Sequence, residues 1–140
     1  MTAIDFAYNI LSVRVIDGDT VECYLDLGFR LSHKVAVRLN GINAPEPRGR
    51  EAEAGVVART FVDQWFNRHG LSNIHCVSIG LDKYGGRIIG NFIAQPGIDQ
   101  HYTLTTDLIS EGLAKPYHGK GPIPRFSDEE IAAIVERADV

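Results

Sequence analysis

Nine consecutive residues, Arg38-Leu39-Asn40-Gly41-Ile42-Asn43-Ala44-Pro45-Glu46, place a cation, a neutral oxygen ligand and a carboxylate within one short stretch. An arginine ending an apolar run, followed by a turn that carries Asn43 and Glu46, reads as a strand end and equally as half of a metal-assisted phosphate site. Such chemistry needs neutralised nonbridging oxygens, an oriented water and a group to receive its proton. The natural second half is another carboxylate-bearing turn, Val15-Ile16-Asp17-Gly18-Asp19-Thr20. Asp-Gly between alternating runs is foremost a hairpin signal, and turn chemistry accounts for Asp17 and Gly18. It does not require Asp19 and Thr20, two further oxygen-bearing side chains. An EF-hand is excluded, because that loop needs an oxygen ligand where Val21 stands and glycine where Glu22 stands. Glu46 lies between Pro45 and Pro47, on a rigid turn outside any helix or ladder, so solvation or a partner must account for its carboxylate. Taken alone, Arg38 and Arg87 read as surface cations at strand ends. The histidines His33, His69, His75, His101 and His118 lack zinc-like spacing.

The elements that must position these residues follow from periodicity. Ile10 to Ile16 and Val21 to Leu27 alternate, with Leu11, Val13 and Val15, then Val21, Cys23, Leu25 and Leu27, on one face, which predicts two strands joined near Asp17-Gly18. Gly28 to His33 reads as a turn and Val35 to Leu39 as a third strand. From Glu51 to Arg68, apolar residues at Ala54, Val57, Ala58, Phe61 and Trp65 predict an amphipathic helix closed by Gly70. Ile74 to Ile79 and Arg87 to Ala94 are the fourth and fifth strands, and Leu104 to Glu111 a short helix. Pro116 to Pro124 is an irregular loop. The last helix carries a capping box, Ser127 and Glu130, a staple of Phe126 and Ile131, and a stripe of Ile131, Ile134, Val135 and Ala138. This order predicts an α+β, mainly β fold, a five-stranded Greek-key barrel of the OB type with about three packed helices. An open antiparallel sheet covered by helices would give the same pattern.

At 140 residues, one domain spanning 1–140 is expected, with no linker or repeat. The apolar fraction of 44% and charged fraction of 23% exclude the disordered and membrane classes. Cys23 and Cys76 form no CxxC pair, which speaks against a disulfide framework and suits a reducing compartment. Met1 to Ile10 lacks a basic region and a long apolar run, so no signal peptide is read and a cytoplasmic location is expected. The net charge of −4 argues against bulk coating of nucleic acid, but its distribution is uneven. Gly28 to Arg50 holds five cations and one anion, +4, whereas Phe126 to Val140 holds five anions and one cation, −4. A local basic region can steer a phosphate polymer within about a Debye length, 8 to 10 Å.

Five motifs in order resemble the staphylococcal nuclease (thermonuclease) family: Val15 through Val21, Arg38-Leu39 through Pro45-Glu46, the helix start from Glu51 to Phe61, Asp82-Lys83-Tyr84-Gly85, and Gly112-Leu113-Ala114-Lys115. The resemblance runs from about Val13 to Tyr117. It implies a calcium-dependent endonuclease on a five-stranded OB barrel, a monomer hydrolysing DNA and RNA with little sequence preference. It further implies Asp19 as a direct Ca²⁺ ligand, Asn43 as a second side-chain ligand, the Ala44 backbone carbonyl as a third, and Asp17 behind them. Glu46 matches the carboxylate that activates the attacking water, Arg38 and Arg87 the pair that holds the phosphate, and Lys83, Tyr84 and Tyr117 the residues flanking the nucleotide.

The chain departs from the family pattern twice. Asparagine stands at 43 where aspartate is commoner, which lowers ligand charge and predicts weaker Ca²⁺ binding. Gly86 is an added glycine before Arg87, which a turn or bulge must absorb if Arg87 is to reach the phosphate. A competing expectation is a barrel that has lost catalysis and keeps only nucleic-acid or protein contacts. Such modules usually shed their charged site residues, whereas Asp19, Arg38, Glu46 and Arg87 are all present here.

Overall fold

The computed structural model describes residues 6–82 and 86–137. Strands β1 (Phe6–Asp17), β2 (Thr20–Gly28) and β3 (Leu31–Leu39) form an antiparallel meander, and β5 (Ile74–Leu81) and β6 (Arg87–Gly97) an antiparallel pair. Two further pairings close them into a barrel. Phe6 to Asn9 of β1 pairs antiparallel with His75 to Ser78 of β5, and Ala36 to Leu39 of β3 pairs parallel with Arg87 to Gly90 of β6. The expected five-stranded barrel is therefore observed, and the parallel β3–β6 ladder is what distinguishes it from an open sheet. A short β7 (Gln100–Thr103), which the sequence pattern did not predict, extends β6.

The barrel interior holds Val21, Cys23, Leu25, Val37, Leu39, Ile74, Cys76 and Phe92, all buried. After a single-turn 3-10 segment (Gly49–Glu51), α1 (Ala52–His69) packs on β1 and β6 and meets α2 (Leu104–Ser110) and α3 (Asp128–Arg137). Its buried side is Ala54, Gly55, Ala58, Val62, Trp65 and Phe66, one strip further round than predicted, with Val57 and Phe61 only partly buried. Trp65 is fully buried and satisfies its indole N–H by donating to Asp107 Oδ2 at 2.8 Å, which ties α1 to α2. The predicted capping box is present: Ser127 N–H donates to Glu130 Oε1 at 2.8 Å, and Glu130 N–H donates to Ser127 Oγ at 3.1 Å. Ile134 is the buried residue of α3, and Ala138 lies outside the described residues.

Leu27, read as inward with Val21, Cys23 and Leu25, is instead 45% exposed, because it lies at the far end of β2, where the facing end of β3 from Leu31 to Lys34 is exposed too. Two further expectations are corrected. Leu11 points outward, 55% exposed, because the β1–β2 register slips between Ile10 and Ser12. One extra residue there reverses the inward parity, so Ile10 and then Val13 and Val15 face the core. The third strand begins at Leu31, not Val35, and the turn before it is only Phe29-Arg30. Leu31 to Lys34 is exposed throughout, so no alternation marked it as strand.

Candidate active site

The two carboxylate-bearing turns meet, and small residues let them do so. A Cβ on Gly18 would sit 2.7 Å from the Cβ of Ala44 and 2.8 Å from that of Ala58, so the β1–β2 turn, the chain after β3 and helix α1 converge at one point. Asp19 N–H donates to Asp17 Oδ1 at 3.0 Å, a local side-chain turn that fixes the backbone carrying the Asp19 carboxylate. That carboxylate accepts from the Ala44 N–H at 3.0 Å on Oδ2 and from the Thr20 hydroxyl at 3.3 Å on Oδ1. Asp19 and Thr20, which a hairpin alone does not require, thus link the turn to the stretch that ends β3.

Arg38 spans both turns. Its Nη1 donates to the carbonyls of Asp19 (3.4 Å) and Leu39 (3.2 Å), its Nη2 donates to the carbonyl of Ile42 (3.0 Å), and Nη1 lies 3.5 Å from Asp19 Oδ2. Of the five N–H donors of a guanidinium, these contacts leave Nε–H and one Nη2 hydrogen for a ligand. The Asp19 and Arg38 side chains are only 13% and 21% exposed, so the pair is mostly removed from solvent screening. Arg87 lies on the same outer face as Arg38, since Ala36 pairs with Arg87 and Arg38 with Ile89 in the parallel ladder. The two cations are diagonal neighbours. Gly86, at φ +72°, turns the chain into β6, whose first residue Arg87 pairs with Ala36. The Arg87 guanidinium is held by Asp82, with Nε donating to Oδ2 at 2.7 Å.

Glu46 follows buried Ala44 and Pro45 with an exposed side chain, and its backbone N–H donates to Glu51 Oε2 at 3.1 Å. Helix α1 fixes its carbonyl. A Cβ on Gly55 would lie 2.2 Å from Glu46 C and O and 2.3 Å from Pro47 N, so only glycine allows this approach. Asn43 belongs to a two-residue strand β4 (Ile42–Asn43), paired with β8 (Lys115–Pro116). Its Nδ2 donates to the Pro124 carbonyl at 3.4 Å, which leaves Oδ1 as the atom able to bind a cation. Tyr117 N–H donates to the Gly41 carbonyl at 2.8 Å, placing Tyr117 beside the same turn, and its hydroxyl donates to the Gly121 carbonyl at 3.2 Å. Lys115, opposite Asn43, is spent on Glu130 (2.7 Å) and the Arg125 carbonyl (2.9 Å), so it anchors α3. Lys83 and Tyr84 lie outside the described residues.

Glu51 stands at the predicted helix start and Asp82 in one of the five motifs, but their contacts with the Glu46 N–H and with Arg87 have no signal in the sequence. The close approach at Gly55 has one, a glycine inside a strongly helical pattern. A groove of about 530 Å³ between the start of α1 and α3, lined by Arg50, Glu53, Asp128, Ile131 and Val135, includes none of the predicted site residues.

The donors that could hold a cation are all oxygens: the Asp19 carboxylate, Asn43 Oδ1 and the Ala44 carbonyl. Among the described residues no cluster of three or more His, Cys, Asp or Glu is arranged for a metal, so a cation here would have few charged ligands. Burial first, and then the hydrogen bond and charge of Asp17, push the Asp19 carboxyl up to about 7, against the opposing pull of Arg38 and the Ala44 N–H. A bound cation would relieve that suppressed charge, so the residues present fit one.

This shift has a stability consequence. The folded-state value of about 7 exceeds the unfolded one of about 3.9, so the fold prefers the neutral acid. Its contribution is complete below about pH 4 and is lost as pH rises through about 7, on the order of a few kcal/mol. Denaturant melts in chelator should therefore show stability falling between about pH 4 and 7, with a flatter profile in Asp19→Asn. A wild-type protein that gains stability over that window would contradict the assignment.

No family model matches the chain. It is 30% identical to Protein ParB of Escherichia coli over 135 residues, covering 90% of this chain and 65% of that protein. The chain thus spans somewhat less than two thirds of the length of the curated relative it matches. Among the described residues no helix is long and apolar enough to cross a membrane.

Proposed function

We propose that the chain is a calcium-dependent phosphodiesterase of the staphylococcal nuclease type, hydrolysing DNA and RNA with little sequence preference. One observation carries the reading. The Asp19 carboxylate and the Ala44 N–H join the two turns at 3.0 Å, with Arg38 donating across both, so the ligand and phosphate-binding candidates meet there, two residues before Glu46 in the chain. Asp19, Asn43 and the carbonyl of Ala44 would hold Ca²⁺, with Asp17 behind them. When bound, the ion supplies a Lewis acid that neutralises charge on a nonbridging phosphate oxygen.

The chain's own residues supply the rest. Glu46 receives the proton of the water that attacks phosphorus in line with the leaving oxygen. The free donors of Arg38 and the fork of Arg87, exchanging Asp82 for phosphate, stabilise the additional negative charge. Tyr117, with Lys83 and Tyr84, flanks the nucleotide, and stacking of that kind tolerates any base. Bond cleavage on the 5′-oxygen side would leave 3′-phosphate and 5′-hydroxyl ends.

Incubation with single-stranded DNA, duplex DNA and RNA in Ca²⁺ tests this. Cleavage of all three with those ends is the expected result. Polymers that remain intact yet migrate as complexes would instead favour a nucleic-acid-binding barrel without catalysis.

Asn43 sets the metal requirement. Restoring a charged ligand in Asn43→Asp should tighten Ca²⁺ binding severalfold. Calorimetry giving unchanged or weaker affinity in that variant would remove Asn43 from the ligand set.

A further inference from the structure

The tip of the β2–β3 hairpin is built from residues its backbone disfavours. Gly28 pairs with Leu31, so the loop is the two residues Phe29 and Arg30, and both have positive φ, 55° and 64°. Two-residue hairpin loops of this left-handed kind prefer Asn-Gly or Gly-Gly, which bear the conformation without strain. Phe29 is nonetheless 97% exposed, with Leu31 exposed beside it. An aromatic ring and a guanidinium at positions that penalise both, with nothing packed on the ring, are explained by a ligand and not by folding.

The hairpin's outer face supplies continuity with the candidate active site. Alternation places Lys34, Ala36 and Arg38 of β3 outward, opposite buried Val37 and Leu39. Tyr24 of β2, exposed, is the cross-strand partner of Lys34. Acidic groups on this face are engaged: Glu22 pairs with Arg14 at 3.2 Å and Lys34 at 3.6 Å, and Asp26 accepts from the Gly28 N–H at 2.8 Å. Arg38 and Arg30 are eight residues apart, the span lying along β3 up to the turn at Arg30, about 26 Å at about 3.3 Å per residue. That spans about 8 stacked nucleotides at about 3.4 Å each, within the roughly 4 to 16 that barrels of this class track.

We infer that the β2–β3 hairpin is a second binding surface for single-stranded nucleic acid, in which Tyr24 and Phe29 stack on bases while Lys34 and Arg30 hold phosphates of the strand leaving Arg38. The inference rests on the nucleic-acid substrate of the proposed function and assigns it a direction, along β3 away from the reacting phosphate. Contacts distant from the reacting bond would then favour long substrates over short ones.

The test is binding of labelled single-stranded oligonucleotides of about 3 and about 12 nucleotides to the intact protein in chelator, followed by anisotropy. Wild type should bind the longer probe at least about tenfold more tightly. Phe29→Asn combined with Arg30→Gly suits the turn, so it should match or exceed the wild-type melting temperature. It should also lose about fivefold or more in affinity for the long probe, the scale of one lost base stack, with little change for the short one. Equal affinity of variant and wild type for the long probe would overturn the inference, as would a wild type indifferent to length. A Phe29-dependent dimer in gel filtration without oligonucleotide would assign the tip to a second copy and overturn it too. Cleavage in Ca²⁺ is scored separately. A hairpin that binds in a protein that never cleaves supports the surface and refutes the nuclease reading alone.

Discussion

Glu46→Gln is expected to lower phosphodiester hydrolysis by about 10² to 10⁴, the usual span for losing a positioned general base. The substitution is nearly isosteric, and among the described residues the contacts of Glu46 with the fold are made by its backbone: the N–H donates to Glu51 Oε2 and the carbonyl packs against α1 at Gly55. Melting temperature should therefore be unchanged. The Ca²⁺ concentration giving half-maximal rate should stay near that of wild type, because Glu46 is not among the proposed ligands. Kinetics across a Ca²⁺ series check both statements. A Gln variant cutting at the wild-type rate would remove Glu46 from the chemistry. One that recovers full rate at high Ca²⁺ would reassign it as a ligand.

Gly55→Ala should also inactivate, for a reason that lies in packing. At an ordinary helix interior this change stabilises by about 1 kcal/mol through backbone entropy and propensity. Here the added Cβ would meet backbone atoms of Glu46 and Pro47 at 2.2–2.3 Å, and no flexible side chain can yield. Overpacking typically costs about 1 to 3 kcal/mol, so the clash outweighs the propensity gain. Relief requires α1 or the Glu46 turn to retreat. A displacement of about 1 Å in a positioned catalytic group costs on the order of 10² in rate. The expected outcome is a folded protein with a lowered melting temperature and activity reduced about 100-fold. A more stable, fully active variant would show that the Glu46 carbonyl is not tied to α1 as described.

The parts of the fold visible in the sequence are those that write a local pattern. Alternation in β2 and in Val35 to Leu39, the helical spacing of α1, and the reciprocal Ser127–Glu130 cap follow directly from residue order. The bulge at Leu11 was invisible because one extra residue reverses parity without altering composition. The exposed tip of β3 was missed because strand residues facing water on both sides carry no alternation. Closure through β3 and β6 is a pairing across most of the barrel's length in sequence, which no local signal encodes.

The candidate site divides similarly. Asp19, Asn43 and Glu46 stand out in the sequence as oxygen-bearing side chains on turns, whereas Arg38 alone reads as a surface cation, and the structure joins Asp19 and Arg38 to the backbone on either side of Asn43. What the sequence could not give is how those contacts are distributed. Arg38 spends three donors on the carbonyls of Asp19, Leu39 and Ile42, so it positions the turns as well as offering charge. Gly18 reads as a turn glycine, yet it is also the gap through which Ala44 and Ala58 approach.

The central claim is that the two turns make one metal-assisted hydrolytic site. It is tested most directly by the rate of cleavage of a single-stranded oligonucleotide during a Ca²⁺ titration of the intact protein and of Asp19→Asn. The account predicts no cleavage in chelator, a rise that saturates as for one site in wild type, and a lost or strongly right-shifted curve in the variant. Cleavage that is independent of Ca²⁺, or identical in the two proteins, would contradict it.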